Sequence, residues 1–133
     1  PFEADDISDL DKVLQDFAQN HKAQDYKIKG YNHFDNRVIY MDVHMNKKSK
    51  LLHDELIEEL EKLPYIHFKN HDYKDKVFHV TISSKKIQKI YDELWEYVNN
   101  IPCDFDCKFD NVSVFKWEDN TWKLYKEYLM DIR

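Results

Sequence analysis

Phe78-His79-Val80-Thr81-Ile82-Ser83 reads as a β-strand that presents a proton-transfer group and a hydroxyl side by side. Side chains alternate across a strand, so His79 and Thr81 share one face with Val77 and Ser83, while Phe78, Val80 and Ile82 point the other way. The second face is apolar enough to lie on a core. The first offers an imidazole and two hydroxyls to whatever sits outside. His79-Val80-Thr81 is the one His-x-Thr in the chain.

Working outward from that strand, residues 67–76 form a polar loop, and residues 49–63 form a helix with Leu52, Leu56, Leu60 and Leu63 in a stripe. Pro64 ends that helix. Further upstream, residues 37–45 make a strong, partly two-sided strand. Residues 26–33 make a weaker one, with Gly30 marking a bulge or a close backbone approach. Asp35-Asn36 is the turn signal that joins the two as a hairpin. The first element is a helix capped by Asp6 or Ser8, with Ile7, Leu10, Val13, Leu14 and Phe17 at helical spacing, ending near Asn20. Downstream, Ser83 or Ser84 is placed to cap a third helix bearing Ile87, Ile90, Tyr91, Leu94, Trp95 and Val98. Pro102 closes that connection, and three short strands follow over residues 103–109, 112–117 and 122–128, with Asp119-Asn120 turning between the last two. The order predicts an α+β fold, with mostly antiparallel sheets and helices packed on them. The succession also hints at a duplicated lobe plan.

The totals narrow the function. At 133 residues the chain is read as one domain over residues 1–133. One glycine cannot write a Walker loop or a Rossmann fingerprint, which excludes a glycine-rich phosphate cradle. A formal net charge of −6 argues against a broad, non-specific grip on nucleic acid, although a focused site for one phosphate fits it. No apolar run approaches the roughly 20 residues of a membrane span, and no signal peptide is visible. Cys103 and Cys107 are spaced too far apart along an extended backbone for a comfortable bridge, so two reduced thiols and a cytoplasmic location are expected.

With these residues in place, the chain resembles the two-histidine (2H) phosphoesterase superfamily, which includes bacterial 2′-5′ RNA ligase-like proteins. Phe78-His79-Val80-Thr81-Ile82-Ser83 resembles the family's second signature. Arg37-Val38-Ile39-Tyr40-Met41-Asp42-Val43 is similar to its central strand, and the leucine-striped helix sits where its middle helix does. Val112-Ser113-Val114-Phe115-Lys116-Trp117 through Trp122-Lys123-Leu124-Tyr125 resembles its closing hairpin. The resemblance implies a bilobal fold and metal-independent acid-base chemistry on 2′,3′-cyclic phosphates or 2′-5′ phosphodiester linkages of RNA ends, with no cofactor. Members carry two His-x-Thr motifs, one His acting as base and the other as acid, with the Thr hydroxyls on phosphate oxygens. His79 and Thr81 match the second motif; nothing here matches the first. Pro1-Phe2-Glu3 resembles the end of a Pro-Pro-Phe-like stretch that follows the first motif in relatives, so the domain is expected to be N-terminally incomplete. A positioned acid or base is worth roughly 10²–10⁴-fold, so half a relay implies an impaired enzyme. The absent strand also implies an exposed sheet edge, which invites a homodimer. The alternative is a non-catalytic RNA-end-binding or protein-interaction domain of the same fold.

Other residues carry weaker signals. Ser83 reads as a phosphate-facing hydroxyl or as a helix cap, the cap being favoured. Lys116, in a strand that could neighbour His79, fits either a phosphate contact or a plain polar position on an edge strand. His67, Lys69, His71, Lys74 and Lys76 make a cationic loop that either guides an anionic substrate or is simply solvated. His44 reads as a surface histidine, and Asp104, Asp106 and Asp110 as the solvent face of a strand. His67 and His71 with two distant cysteines do not have zinc-finger spacing, so no metal site is expected.

Overall fold

A computed structural model of the chain describes residues 1–132. In chain order the elements are α1 (Ser8–Asn20), β1 (Gln24–Phe34), β2 (Val38–Met45), α2 (Lys47–Glu61), β3 (His79–Ser83), α3 (Tyr91–Asn99), β4 (Asp104–Phe109), β5 (Asn111–Glu118) and β6 (Thr121–Leu129). The strands form a four-stranded sheet in the order β3-β2-β1-β4 and a separate two-stranded sheet, β5-β6. This is the α+β class expected from the pattern of elements. The chain divides into two compact units, one built from Pro1–Gln24, Lys47–Lys76 and the chain from Lys108 onward, the other from Asp25–Asn46 and Val77–Cys107.

In the first unit, α1 and α2 pack with the β5-β6 hairpin. Leu10, Leu14, Phe17 and Ala18 recur at helical spacing on α1 and are buried with Leu52 and Leu56 of α2 and with Tyr128 and Met130. Neither candidate caps α1: Ile7 takes the N-cap position without a side-chain cap, and Asp6 instead closes a local turn ahead of the helix, its carboxylate accepting the Ser8 backbone N–H at 2.8 Å. Across the helix–hairpin contact, Asp11 accepts from the Tyr128 hydroxyl at 2.6 Å and from Lys126 at 2.7 Å. The Lys126 bond, then the Tyr128 bond, hold the Asp11 carboxyl below the usual carboxylate range. Burial first, then Asp11, push the Tyr128 phenol up.

The second unit contains the four-stranded sheet and α3. Its core is Ile39 of β2 with Ile87 and Val98, flanked by Tyr31, Tyr91, Leu94 and Trp95. The Tyr31 hydroxyl donates to the Ile101 carbonyl at 2.9 Å, tying β1 to the chain just beyond α3. Gly30 interrupts the β1-β2 ladder, whose register shifts between Ile28 and Tyr31. Its φ of +76° is the left-handed conformation that a side chain disfavours, and its N–H donates to the Cys103 carbonyl at 2.9 Å. Both readings of Gly30 therefore hold: it is a bulge and a close backbone approach. Cys103 and Cys107 are free thiols. On β4, Asp104 and Asp106 face solvent and both meet Lys27 of β1, at 3.3 and 3.4 Å.

Two expectations are corrected. The third helix does not start after Ser83 or Ser84. Lys86 takes a positive φ of 54°, which breaks a helix there; a short 3-10 turn, Gln88–Ile90, leads into α3 at Tyr91 without a side-chain cap. β4 joins the four-stranded sheet and leaves β5 and β6 as a pair. The apolar side of the 78–83 strand does not lie on a core: Val80 is 39% and Ile82 43% exposed. The reason is its edge position. The core of this unit gathers under Ile39 on the neighbouring strand.

Two outcomes follow from these contacts. Gly30→Ala meets no atom within 4 Å, so backbone strain alone sets the cost. It should destabilise by about 1–2 kcal/mol, read as a lower urea midpoint at unchanged slope. Because Asp11 titrates lower in the folded chain than in the unfolded one, its contribution is present at neutral pH and is lost as pH falls through its folded value. Asp11→Asn should therefore lower the melting temperature at neutral pH, and the gap to wild type should narrow below the usual carboxylate range. A gap that stays constant with pH would show that the carboxylate contributes no charge-linked stability.

Candidate active site

β3 pairs antiparallel with β2, with Asp42 opposite His79, Met41 opposite Val80 and Tyr40 opposite Thr81. Directly opposed residues point to the same side of a sheet, so Tyr40, Asp42, His79 and Thr81 share a face. By the same alternation Asn32, Phe34 and Val38 join them from the β1-β2 hairpin, because Asn32 pairs with Tyr40 and Phe34 with Val38. The opposite face carries Ile39 into the core with α3. Thus the imidazole and hydroxyl of the His-x-Thr stretch stand together on the side of the sheet away from that core.

Ser83 leaves this arrangement. The pair after Tyr40–Thr81 is Ile39–Ser83, so the ladder skips Ile82 at a bulge. That shift puts Ser83 in step with a core-facing residue, half-buried, and out of phase with His79 and Thr81. Its role as a cap of α3 is not realised, for the reason given above.

The His79 ring is held by its surroundings. It lies edge-on to Phe34 with centroids 5.2 Å apart and tilted against Tyr40, also at 5.2 Å. Phe34 and Tyr40 in turn contact each other at 4.6 Å. Tyr40 is 3% exposed, and burial, then the nearby Asp42 charge, push its phenol up, so it stays a neutral ring at the base of the site. His79 itself is exposed. Its Nδ1 lies 2.8 Å from the Val77 carbonyl oxygen. A carbonyl can only accept, so Nδ1 carries the hydrogen and donates it. Nε2 of the neutral ring is left with its lone pair, turned away from that bond. Such a ring can take a proton at Nε2 and return it without changing the bond that orients it.

Phe34 and Tyr40 were not candidates from sequence, although the β2 alternation that puts Ile39 inward also puts Tyr40 outward. Phe34 carried less signal, since it is the last residue before a turn. His44 lies on the same face by alternation and is a surface histidine, as expected. Its Nε2 is 3.1 Å from the Lys29 carbonyl and 3.6 Å from Asp42.

Lys116 and His79 lie on strands of different sheets. β5 pairs with β6, in the sheet that belongs to the other unit, and β3 pairs with β2. Lys116 is exposed, with Glu118 at 3.8 Å. In the cationic loop, Lys74 donates to Glu58 at 2.7 Å and lies over the Tyr73 ring, so one of its charges is already met. Among the described residues no three His, Cys, Asp or Glu side chains gather into a metal-binding group. No helix among them is long and apolar enough to cross a membrane.

Comparison with known protein families gives a match to the model of the 2′-5′ RNA ligase superfamily over residues 1–121. That span includes β1 to β5, and with them every residue on the His79 face. No curated protein matches the chain.

Proposed function

The chain belongs to the 2′-5′ RNA ligase superfamily, and on that premise we propose that it performs metal-independent acid-base chemistry at RNA ends, on a 2′,3′-cyclic phosphate or a 2′-5′ phosphodiester. The observation that carries this reading is the orientation of His79, with Nδ1 committed to the Val77 carbonyl and Nε2 left as the basic atom on the face it shares with Thr81. As an oxygen attacks phosphorus, Nε2 takes its proton; in the reverse direction the imidazolium returns a proton to the departing ribose oxygen. Thr81 donates its hydroxyl to a phosphoryl oxygen as negative charge builds there. Phe34 and Tyr40 keep the ring from turning, which fixes where Nε2 meets the reacting oxygen. Ser83, out of phase by one residue, serves the strand rather than the phosphate. Lys116 is assigned no part at this face.

The partners on this reading are RNA ends and cyclic or 2′-5′-linked nucleotides. The open edge of β3 supports pairing with a second copy of the chain, and the two free cysteines support a reducing, cytoplasmic setting. One observation favours a second reading. His79 and Thr81 stand exposed on one face, a hydrogen-bonding pair that also suits a domain that binds RNA ends without turning them over.

Turnover of 2′,3′-cyclic nucleotides in the presence of a chelator separates the two. His79→Ala is expected to lower the rate by about 10²-fold or more, and Thr81→Val, which keeps the shape but removes the hydroxyl, by about 10²-fold. A His79→Ala protein as fast as wild type would refute the assigned role. Cyclic nucleotide that binds the wild-type protein without turning over would assign the face to binding alone.

A further inference from the structure

The first unit holds a cavity of about 560 Å³ between the Pro1–Asp5 segment and the β5-β6 hairpin, within the size range of small-ligand sites. Five aromatic side chains line it: Phe2, Phe115, Trp117, Trp122 and Tyr125, each 43–56% exposed. Large apolar rings gathered half-bare around one hollow are unusual on a protein surface and mark a binding site more often than not. Two of the walls are braced. Trp117 and Trp122 are directly opposed across the hairpin and meet edge-on at 5.2 Å. Phe2 is stacked on Tyr65 at 5.6 Å and 28°, so its other side is offered to the cavity.

The polar groups select the ligand. Glu3 and Asp5 are in the lining, and Lys116 is its one lysine or arginine among the described residues, with Glu118 at 3.8 Å from its ammonium. Two carboxylates against one partly neutralised cation repel a phosphate group. They suit a flat, uncharged ring that stacks on aromatics and donates N–H bonds. We infer that this cavity holds an unpaired nucleobase bearing an exocyclic amino group, stacked on the aromatic walls and donating to Glu3 or Asp5. Base–aromatic stacking needs no particular sequence, whereas a carboxylate accepts from the exocyclic amino group of cytosine and is repelled by the carbonyl oxygen that uracil carries in its place. The identity of the ligand rests on the RNA-end reading above; the cavity and its acceptors do not.

The experiment is a titration of the full chain with short oligocytidylate and oligouridylate ending in plain 3′-hydroxyls, followed by tryptophan fluorescence. Oligocytidylate should quench and bind about ten-fold more tightly than oligouridylate. Phe2→Ala, in a segment ahead of the first helix, and Trp122→Ala should each weaken binding about ten-fold, with Trp122→Phe restoring most of it. Glu3→Gln combined with Asp5→Asn should leave oligouridylate binding in place and remove most of the preference for cytosine. Affinity unchanged in Phe2→Ala and Trp122→Ala would overturn the inference, as would full competition by inorganic phosphate, or quenching that follows self-association in sedimentation rather than oligonucleotide. Absent turnover with intact quenching would sink the catalytic reading alone, and intact turnover without quenching would sink this one alone.

Discussion

Ile39 is the residue on which the His79 face depends. It is fully buried beside α3, and its neighbour Tyr40 is buried on the opposite side of the same strand. A strand alternates, so once Ile39 is sealed in the core, Tyr40 must face outward with Asp42 and with whatever β3 sets opposite them. A slip of one residue would turn Tyr40 into the core and bury His79 and Thr81 beneath α3 instead. The register is defended at both ends: by the Gly30 bulge, where only a left-handed backbone keeps β1 in step, and by the bulge at Ile82 that ends the match with β3.

That register converts packing into chemistry. The Tyr40 and Phe34 rings that close this side of the sheet are the same rings that hold the His79 imidazole. The backbone completes the arrangement, because the Val77 carbonyl fixes which nitrogen carries the proton. The imidazole is oriented here by a backbone carbonyl, unlike sites in which a carboxylate does so.

The other unit follows a different economy. Its two helices and hairpin close a core around Leu14 and Phe17, and Asp11 joins helix to hairpin through the Tyr128 phenol. A hairpin of two strands cannot bury both faces. Beyond Val114 the large side chains Phe115, Trp117, Trp122 and Leu124 remain half-bare. These residues were legible in the sequence as aromatic strand residues of a closing hairpin. The meeting of Phe115, Trp117 and Trp122 with Phe2 around one hollow was not, since it brings together segments more than a hundred residues apart.

Local rules were enough to read the α+β class, the boundaries of α1 and β2 to within a residue or so, the special backbone at Gly30, and the shared side of His79 and Thr81. Each depends on neighbours three or four positions away at most, where periodicity and steric preference decide. Ser83, the start of α3 and the neighbour of Lys116 were read differently, and each turned on something non-local: a bulge in a ladder with β2, a left-handed turn at Lys86, and the division of six strands between two sheets. The sequence by itself determined that an imidazole and a hydroxyl would stand together on a strand. Tertiary structure alone decided which rings hold that imidazole, because the packing of Phe34 and Tyr40 against it across strands depends on distance in space rather than along the chain.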